Sequence, residues 1–181
     1  LSNSLNSSGN MMEIEYLPAD KLFKVTERKT KHLQKMGFPR RNLHYLYVEE
    51  ALYLVQNELA IALFDGKRLS LPHLYQLLGT LNVSLLKYSA FSALIQAGYA
   101  VKRPAATCSY HYNVLGTKTS AQYRLLVSDQ KFNEVPDVEQ LKKIFDEQSD
   151  VPLLIASGTP ENLRISKFSA QSESTLNILD L

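Results

Sequence analysis

LLKYSAFSALIQAGYAVKRP, Leu85 to Pro104, passes from a helical pattern through a glycine into a short β-forming segment and a basic exit. Leu85, Tyr88, Phe91 and Ile95 recur at three- and four-residue spacing, which predicts a helix with one apolar face. Gly98 stands just past that face, where a left-handed C-cap costs glycine least. Tyr99, Ala100 and Val101 read as a strand, and Lys102-Arg103-Pro104 closes it with positive charge and a breaker. This predicts a hinge between two small domains, an N-terminal one over 21–104 and a C-terminal one over 105–181.

The 181 residues suffice for one domain or two small ones. Twenty Lys and Arg against 18 Asp and Glu leave a net charge of +2, which singles out no partner class. No apolar run approaches the roughly 20 residues of a membrane-spanning helix, so a soluble protein with no membrane partner is expected. The lone Cys108 excludes an internal disulfide and suits a reducing compartment; it reads as a small buried hydrophobe in a strand. LSNSLNSSGN at the start is polar and unlike a secretory signal, and residues 1–20 read as a disordered tail or an expression remnant.

Between Asp20 and Arg41 lie Lys21, Lys24, Arg28, Lys29, Lys31, Lys35, Arg40 and Arg41, opposed by Asp20 and Glu27. Leu22, Val25 and Leu33 form a weak helical pattern that KMGFP stops. The charge reads either as a solvated helix face or as a surface that displaces counterions from nucleic acid, with Lys31, Lys35, Arg40, Arg41, Lys102 and Arg103 as candidate RNA contacts. Tyr47 to Val55 predicts an amphipathic helix whose Glu49 and Glu50 favour the positive end of its dipole. Leu59 to Phe64 reads as a strand, Asp65-Gly66 as a hairpin turn, and Ser70 with Pro72 as the start of another helix. Three helices and a β-hairpin make a winged-helix-like N-terminal unit.

Beyond Pro104, Thr107 to Val114 and Tyr123 to Ser128 predict strands. Asp137 with Gln140 opens a helix whose apolar face is Val138, Leu141, Ile144 and Phe145. Val151 to Ala156 predicts a buried strand, Leu163 to Phe168 a returning one, and Leu176 to Leu179 a last edge strand. The class is α+β. No Gly-rich phosphate loop, CxxC pair or HExxH signature occurs, and His32, His44, His73 and His111 lack ligand spacing. His111 reads as a partly buried structural histidine, and no metal or cofactor is expected.

Four blocks then carry a resemblance: KMGF (Lys35–Phe38), YVEEALYLV (Tyr47–Val55), the Asp65-Gly66 hairpin with YSAFSALIQAGYAVKRP (Tyr88–Pro104), and PDVEQLKKIFDEQSDVPLLIA (Pro136–Ala156) with its following hairpin. From about Lys21 to Phe168 the chain resembles the tRNA-intron endonuclease family. Within that family it resembles the larger, non-catalytic structural subunit of the eukaryotic tRNA-splicing endonuclease. The resemblance implies a restriction-endonuclease-like mixed α/β C-terminal domain. Active members cut RNA through its own 2′-hydroxyl with a tyrosine, a histidine and a lysine, which serve as base, acid and charge. The tyrosine position falls at Tyr112 or Asn113, the histidine position near Gln122, and the lysine position near Asp150 or Val151. Neither Gln122 nor Val151 exchanges a proton near neutral pH, and Asp150 has the wrong charge, so no catalytic residue is expected. The family's GxKFG run is replaced by Pro104-Ala105-Ala106-Thr107, and the long charged insertion between the domains is missing. Either the lineage has a reduced subunit or an insertion has been removed.

The resemblance further implies a heterotetramer with catalytic and structural paralogue subunits, precursor tRNA as ligand, and a nuclear location or, in some lineages, the mitochondrial surface. Edge strands pair the subunits in this family, which points to Leu176, Ile178 and Leu179. An acidic docking loop would correspond to Gly158–Asn162, with Glu161 its one acid. Two other readings stay open: a stand-alone RNA endonuclease improvising with Tyr112, His111 and Lys118, and a winged-helix-type nucleic-acid-binding adaptor.

Overall fold

The computed structural model describes residues 11–27, 30–117, 122–147, 150–169 and 172–176. Arg28, Lys29, Lys118, Ile178 and Leu179 lie outside the described residues. Contacts divide the chain into Leu1–Val83 and Ser84–Leu181. By this division the helix at 85 and the strand at 99 pack with the second unit, whereas the sequence reading placed them in a first domain ending at 104.

The first unit is built on a six-stranded sheet. Its strands are β1 (Met12–Leu17), β2 (Leu22–Glu27), β3 (Phe38–Arg40), β4 (Leu43–Leu46), β5 (Ala60–Phe64) and β6 (Lys67–Arg68), in the order β3-β4-β2-β1-β5-β6. Two helices, α1 (Val48–Gln56) and α2 (Leu71–Thr80), complete it. A tail over residues 1–20 is therefore wrong from Met12 onward: β1 pairs antiparallel with β2 and parallel with β5 inside the sheet. MEIEYL alternates as a half-buried strand should, and Met12 and Ile14 are fully buried.

The weak helix expected near Leu22 is also corrected. Cross-strand partners share a face of a sheet. Leu22 lies opposite Leu17 and Val25 opposite Ile14, so the two leucine-like residues taken for one helical face point to opposite sides. Phe23 and Val25 join Ile14, Leu46, Ala60 and Ala62 in the buried face. The Asp65-Gly66 hairpin is present, with φ of 51° and 75°, the left-handed pair that a two-residue turn needs. Ser70 caps α2, its Oγ accepting the His73 N–H. The three expected helices are present, the third (at 85) in the second unit, but the single expected hairpin is one of three, β1–β2, β3–β4 and β5–β6, because residues 12–17 and the basic segment contribute strands.

The second unit holds α3 (Leu85–Gln96), β7 (Tyr99–Lys102), β8 (Tyr112–Gly116), β9 (Gln122–Val127), α4 (Val138–Asp146), β10 (Leu153–Gly158), β11 (Leu163–Ser169) and β12 (Ser172–Leu176). The sheet order is β12-β11-β10-β9-β8-β7, with β9 and β10 parallel and α4 as their crossover. The register puts Tyr112, Val114, Leu125, Val127, Leu154, Ala156 and Ile165 on one face, where Phe91 of α3 meets the Tyr112 ring at 5.7 Å. Tyr110, Leu126 and Leu153 cluster with Ile144 of α4 on the other. The unit thus has three layers, helix on sheet on helix, and the whole chain is α+β as expected.

Several local readings change. The segment 107–111 is not strand; β8 starts at Tyr112, and Cys108 is half-buried in the preceding loop against the Ile144 cluster. Leu85 is 47% exposed, and the buried side of α3 is Leu86, Tyr88, Ala90, Phe91 and Leu94. A helix apolar on most sides does not declare which stripe faces the sheet. Likewise Val138, placed on the core face of α4, is 68% exposed. The last strand begins at Ser172 and reaches Leu176, which pairs with Ile165.

Candidate functional site

The basic segment of the first unit is shaped by a buried carboxylate. Lys31 sits in a 3-10 turn (Lys31–Gln34), Lys35 follows it, and Arg40 and Arg41 form the tip of the β3–β4 hairpin. Arg41 and Asn42 have φ of 50° and 65°, so the tip is a two-residue left-handed turn, and Lys31, Lys35, Arg40 and Arg41 are all exposed. Beneath them, Glu50 of α1 is 3% exposed. Its Oε1 accepts the Tyr47 N–H at 2.9 Å and its Oε2 accepts the Gly37 N–H at 2.5 Å. Two blocks that carry the resemblance, KMGF and YVEEALYLV, therefore meet through one side chain. Gly37 itself has φ +70°, and a Cβ there would stand 2.2 Å from the Tyr45 carbonyl oxygen, so no other residue fits. The His44 ring closes the same loop, with Nε2 2.7 Å from the Met36 carbonyl oxygen. Glu50 is thus more than a dipole partner: it clamps the base of the basic hairpin.

Lys102 and Arg103 belong to the second unit, at the end of the edge strand β7 and just past it. Lys67 and Arg68, absent from the sequence-based candidates, form β6 at the sheet edge opposite β3. Only sheet order reveals that placement.

In the second unit, the positions assigned to a catalytic triad do not assemble a site. Tyr112 is 2% exposed and faces α3. It pairs with Leu125, while Gln122 pairs with Leu115 at the other end of the ladder. That is three residues along the strand, about 10 Å. Asn113, the alternative, faces the other side and accepts a hydrogen bond from the Tyr110 hydroxyl at 2.8 Å. Asp150 is exposed, and the Val151 carbonyl accepts from Arg124 Nε at 3.1 Å. Arg124 was not anticipated. It is 2% exposed, and its Nη1 also donates to the carbonyls of Ile144 and Glu147, tying β9 to the end of α4 and the turn before β10. A lone arginine inside the apolar run YRLLV was the available signal.

His111, just before β8, lines the α4 side with Leu126 and Ile144, whereas Tyr112 faces α3. His111 Nδ1 accepts the Val127 N–H at 2.8 Å. Burial, reinforced by the Lys87 ammonium, lowers its pKa to about 4. An unfolded histidine titrates near 6.5, so the unfolded chain binds the extra proton first. Stability from this group is complete above about pH 6.5 and lost as pH falls toward 4, on the order of 3 kcal/mol in all. Denaturant titrations at pH 7 and pH 4.5 should show this loss in the wild type and a smaller one in His111→Asn, whose Oδ1 can accept the same N–H. Equal losses in both proteins would refute it.

The subunit-contact candidates divide. β12 is the edge of its sheet and Leu176 ends it, while Ile178 and Leu179 lie outside the described residues. Glu161 is exposed in the β10–β11 turn. That turn is stiff: Thr159 Oγ1 accepts the Asn162 N–H at 3.1 Å, and Ser89 Oγ of α3 donates to the Pro160 carbonyl at 3.0 Å. Among the described residues no cluster of His, Cys, Asp and Glu could hold a metal ion.

Comparison with known proteins agrees with the resemblance. Residues 1–59 match the family model described as the N-terminal region of tRNA-splicing endonuclease subunit Sen54. The mouse tRNA-splicing endonuclease subunit Sen54 is 33% identical over 96 residues, which is 52% of this chain and 18% of the mouse protein. The match thus spans just under a fifth of the mouse protein's length, and the KMGF and YVEEALYLV blocks joined by Glu50 lie inside the family match. Over residues 1–59 the chain is similar to the N-terminal region of Sen54-type tRNA-splicing endonuclease subunits.

Proposed function

We propose that this chain is a non-catalytic structural subunit of a tRNA-splicing endonuclease, which scaffolds a catalytic paralogue and positions precursor tRNA for intron removal. The observation that carries this reading is the state of the triad positions. Tyr112 is buried under Phe91, and the acid and cation positions hold Gln122 and Asp150 or Val151. The second unit would be the family's restriction-endonuclease-like domain with its chemistry gone. The exposed backbone edge of β12 is a template for strand pairing with a catalytic partner, and Glu161 on its stiff turn would contact a neighbouring pair in a heterotetramer. The tRNA body, read by shape and phosphates, would lie on the basic surface of Lys31, Lys35, Arg40 and Arg41; Lys102 and Arg103 of the second unit are separate candidate phosphate contacts. With that role would go a nuclear location or, in some lineages, the mitochondrial surface.

Co-expression with candidate catalytic paralogues, followed by cleavage of an intron-containing precursor tRNA, tests the reading. Cleavage by the complex and none by this chain alone is expected; cleavage by the isolated chain would overturn it. Replacing Lys31, Lys35, Arg40 and Arg41 with alanine should weaken RNA binding by the complex and flatten the slope of log K against log salt by about 2 to 3. An unchanged slope would remove the RNA role from this surface.

A further inference from the structure

The second unit contains a cleft of about 510 Å³ between α4, the loop before it and the start of β8. That is the size of a site for a small ligand or a few residues of peptide. Its apolar lining is Leu126, Val135, Pro136 and Ile144. Phe132, Val135 and Val138, on the segment that forms one wall, are 56%, 52% and 68% exposed. Three exposed apolar side chains within seven residues are unusual for a surface with no partner.

Beside Ser109, Asn133 and Glu134, the polar lining offers three donors. His111 Nδ1 is occupied by the Val127 N–H, so the neutral ring carries its proton on Nε2, which has no hydrogen-bond partner among the described residues. Gln140 Oε1 accepts the Asp137 N–H in the cap of α4, which leaves its amide NH2 to donate. The Lys143 ammonium has no carboxylate partner among the described residues. Glu134, the acid in the lining, pairs with Lys87 at 3.8 Å, and both oxygens of Glu147 accept from Ser109, at 3.0 and 3.1 Å. Three unused donors over an apolar floor call for an acceptor that bears negative charge, attached to an apolar body.

We propose that this cleft docks an acidic peptide segment of a partner protein. The segment would lay an aliphatic or aromatic side chain on Leu126, Val135 and Ile144 and place a neighbouring carboxylate among His111 Nε2, Gln140 and Lys143. The cleft lies on the α4 face of the sheet, whereas Tyr112 faces α3, and its occupation requires neither RNA nor a catalytic partner.

Panning a random twelve-residue peptide library on the full chain, with counter-selection on a Lys143→Glu, Gln140→Ala variant, tests the proposal. Peptides pairing Asp or Glu with Leu, Ile or Phe should be enriched. A synthetic peptide of the enriched sequence should bind about tenfold more weakly to Lys143→Glu, and about tenfold more weakly when its acid is changed to the amide. It should also shift the Val127 amide and His111 ring signals in NMR spectra. Enrichment without an acid, binding indifferent to Lys143→Glu, or no enrichment at all would each overturn the proposal. Since Lys143 is exposed, the variant should fold, and an unchanged thermal transition verifies that its lost binding is local.

Discussion

Arg124→Met should destabilise the second unit by about 4 kcal/mol and lower its melting temperature by more than about 10 °C. Methionine nearly fills the space but leaves the carbonyls of Ile144, Glu147 and Val151 without the guanidinium that now satisfies them. Buried acceptors stripped of a charged donor carry their full desolvation cost. Arg124→Lys should recover less than half of the loss, since an ammonium lacks the planar fork that serves carbonyls from two separate segments. The guanidinium also lies 5.9 Å from the centre of the Tyr110 ring, a contact lysine would keep only in part. Hydrogen exchange locates the effect: amides of 150–158 should lose protection while those of α1 and β5 keep theirs. Uniform loss across the chain, or a shift under about 1 kcal/mol, would show that Arg124 is not the tie between β9, α4 and β10.

The second large effect is expected at Glu50. Changing it to glutamine replaces one carboxylate oxygen with an amide NH2, which would face either the Tyr47 or the Gly37 N–H, donor against donor. The expected cost is about 2 kcal/mol for glutamine and about 3 for alanine, read from denaturant midpoints. In either variant the Gly37 amide should exchange faster. The consequence reaches function through position: the Gly37 loop is the base of the hairpin whose tip holds Arg40 and Arg41. Within the proposed complex, Glu50→Gln should therefore weaken RNA binding without altering the charge on the exposed surface. Full RNA affinity in a destabilised Glu50→Gln protein would separate the clamp from the RNA role.

These residues mark where one-dimensional reading ended. Glu50 was visible as an acid at a helix start, and that local role is real; its second partner, thirteen residues upstream, is a matter of folding. Arg124 was visible as a charge in an apolar strand, but its carbonyl partners lie 20 to 27 residues further along the chain. The cleft was not visible at all, since its donors come from β8's approach and from α4, and their availability depends on which acids are already spent.

By itself the sequence determined the local elements whose signals are local: the Asp65-Gly66 turn, the Ser70 and Asp137 caps, the glycine end of α3, the strand at Leu153 and the α+β class. Its ordered blocks also carried the resemblance to Sen54-type subunits, with which the match of residues 1–59 agrees, because motif order survives where single positions drift. Tertiary structure alone decided that the basic segment enters a sheet, that Met12–Leu17 is a central strand, and that α3 packs with the second unit. Leu22 and Val25 fit a helix and a strand equally by spacing, and the partners supplied by β1 and β4 resolve the choice. Burial then sets the chemistry: it hides Tyr112, keeps His111 neutral and gives Arg124 a structural task, and burial is a property of the packed chain.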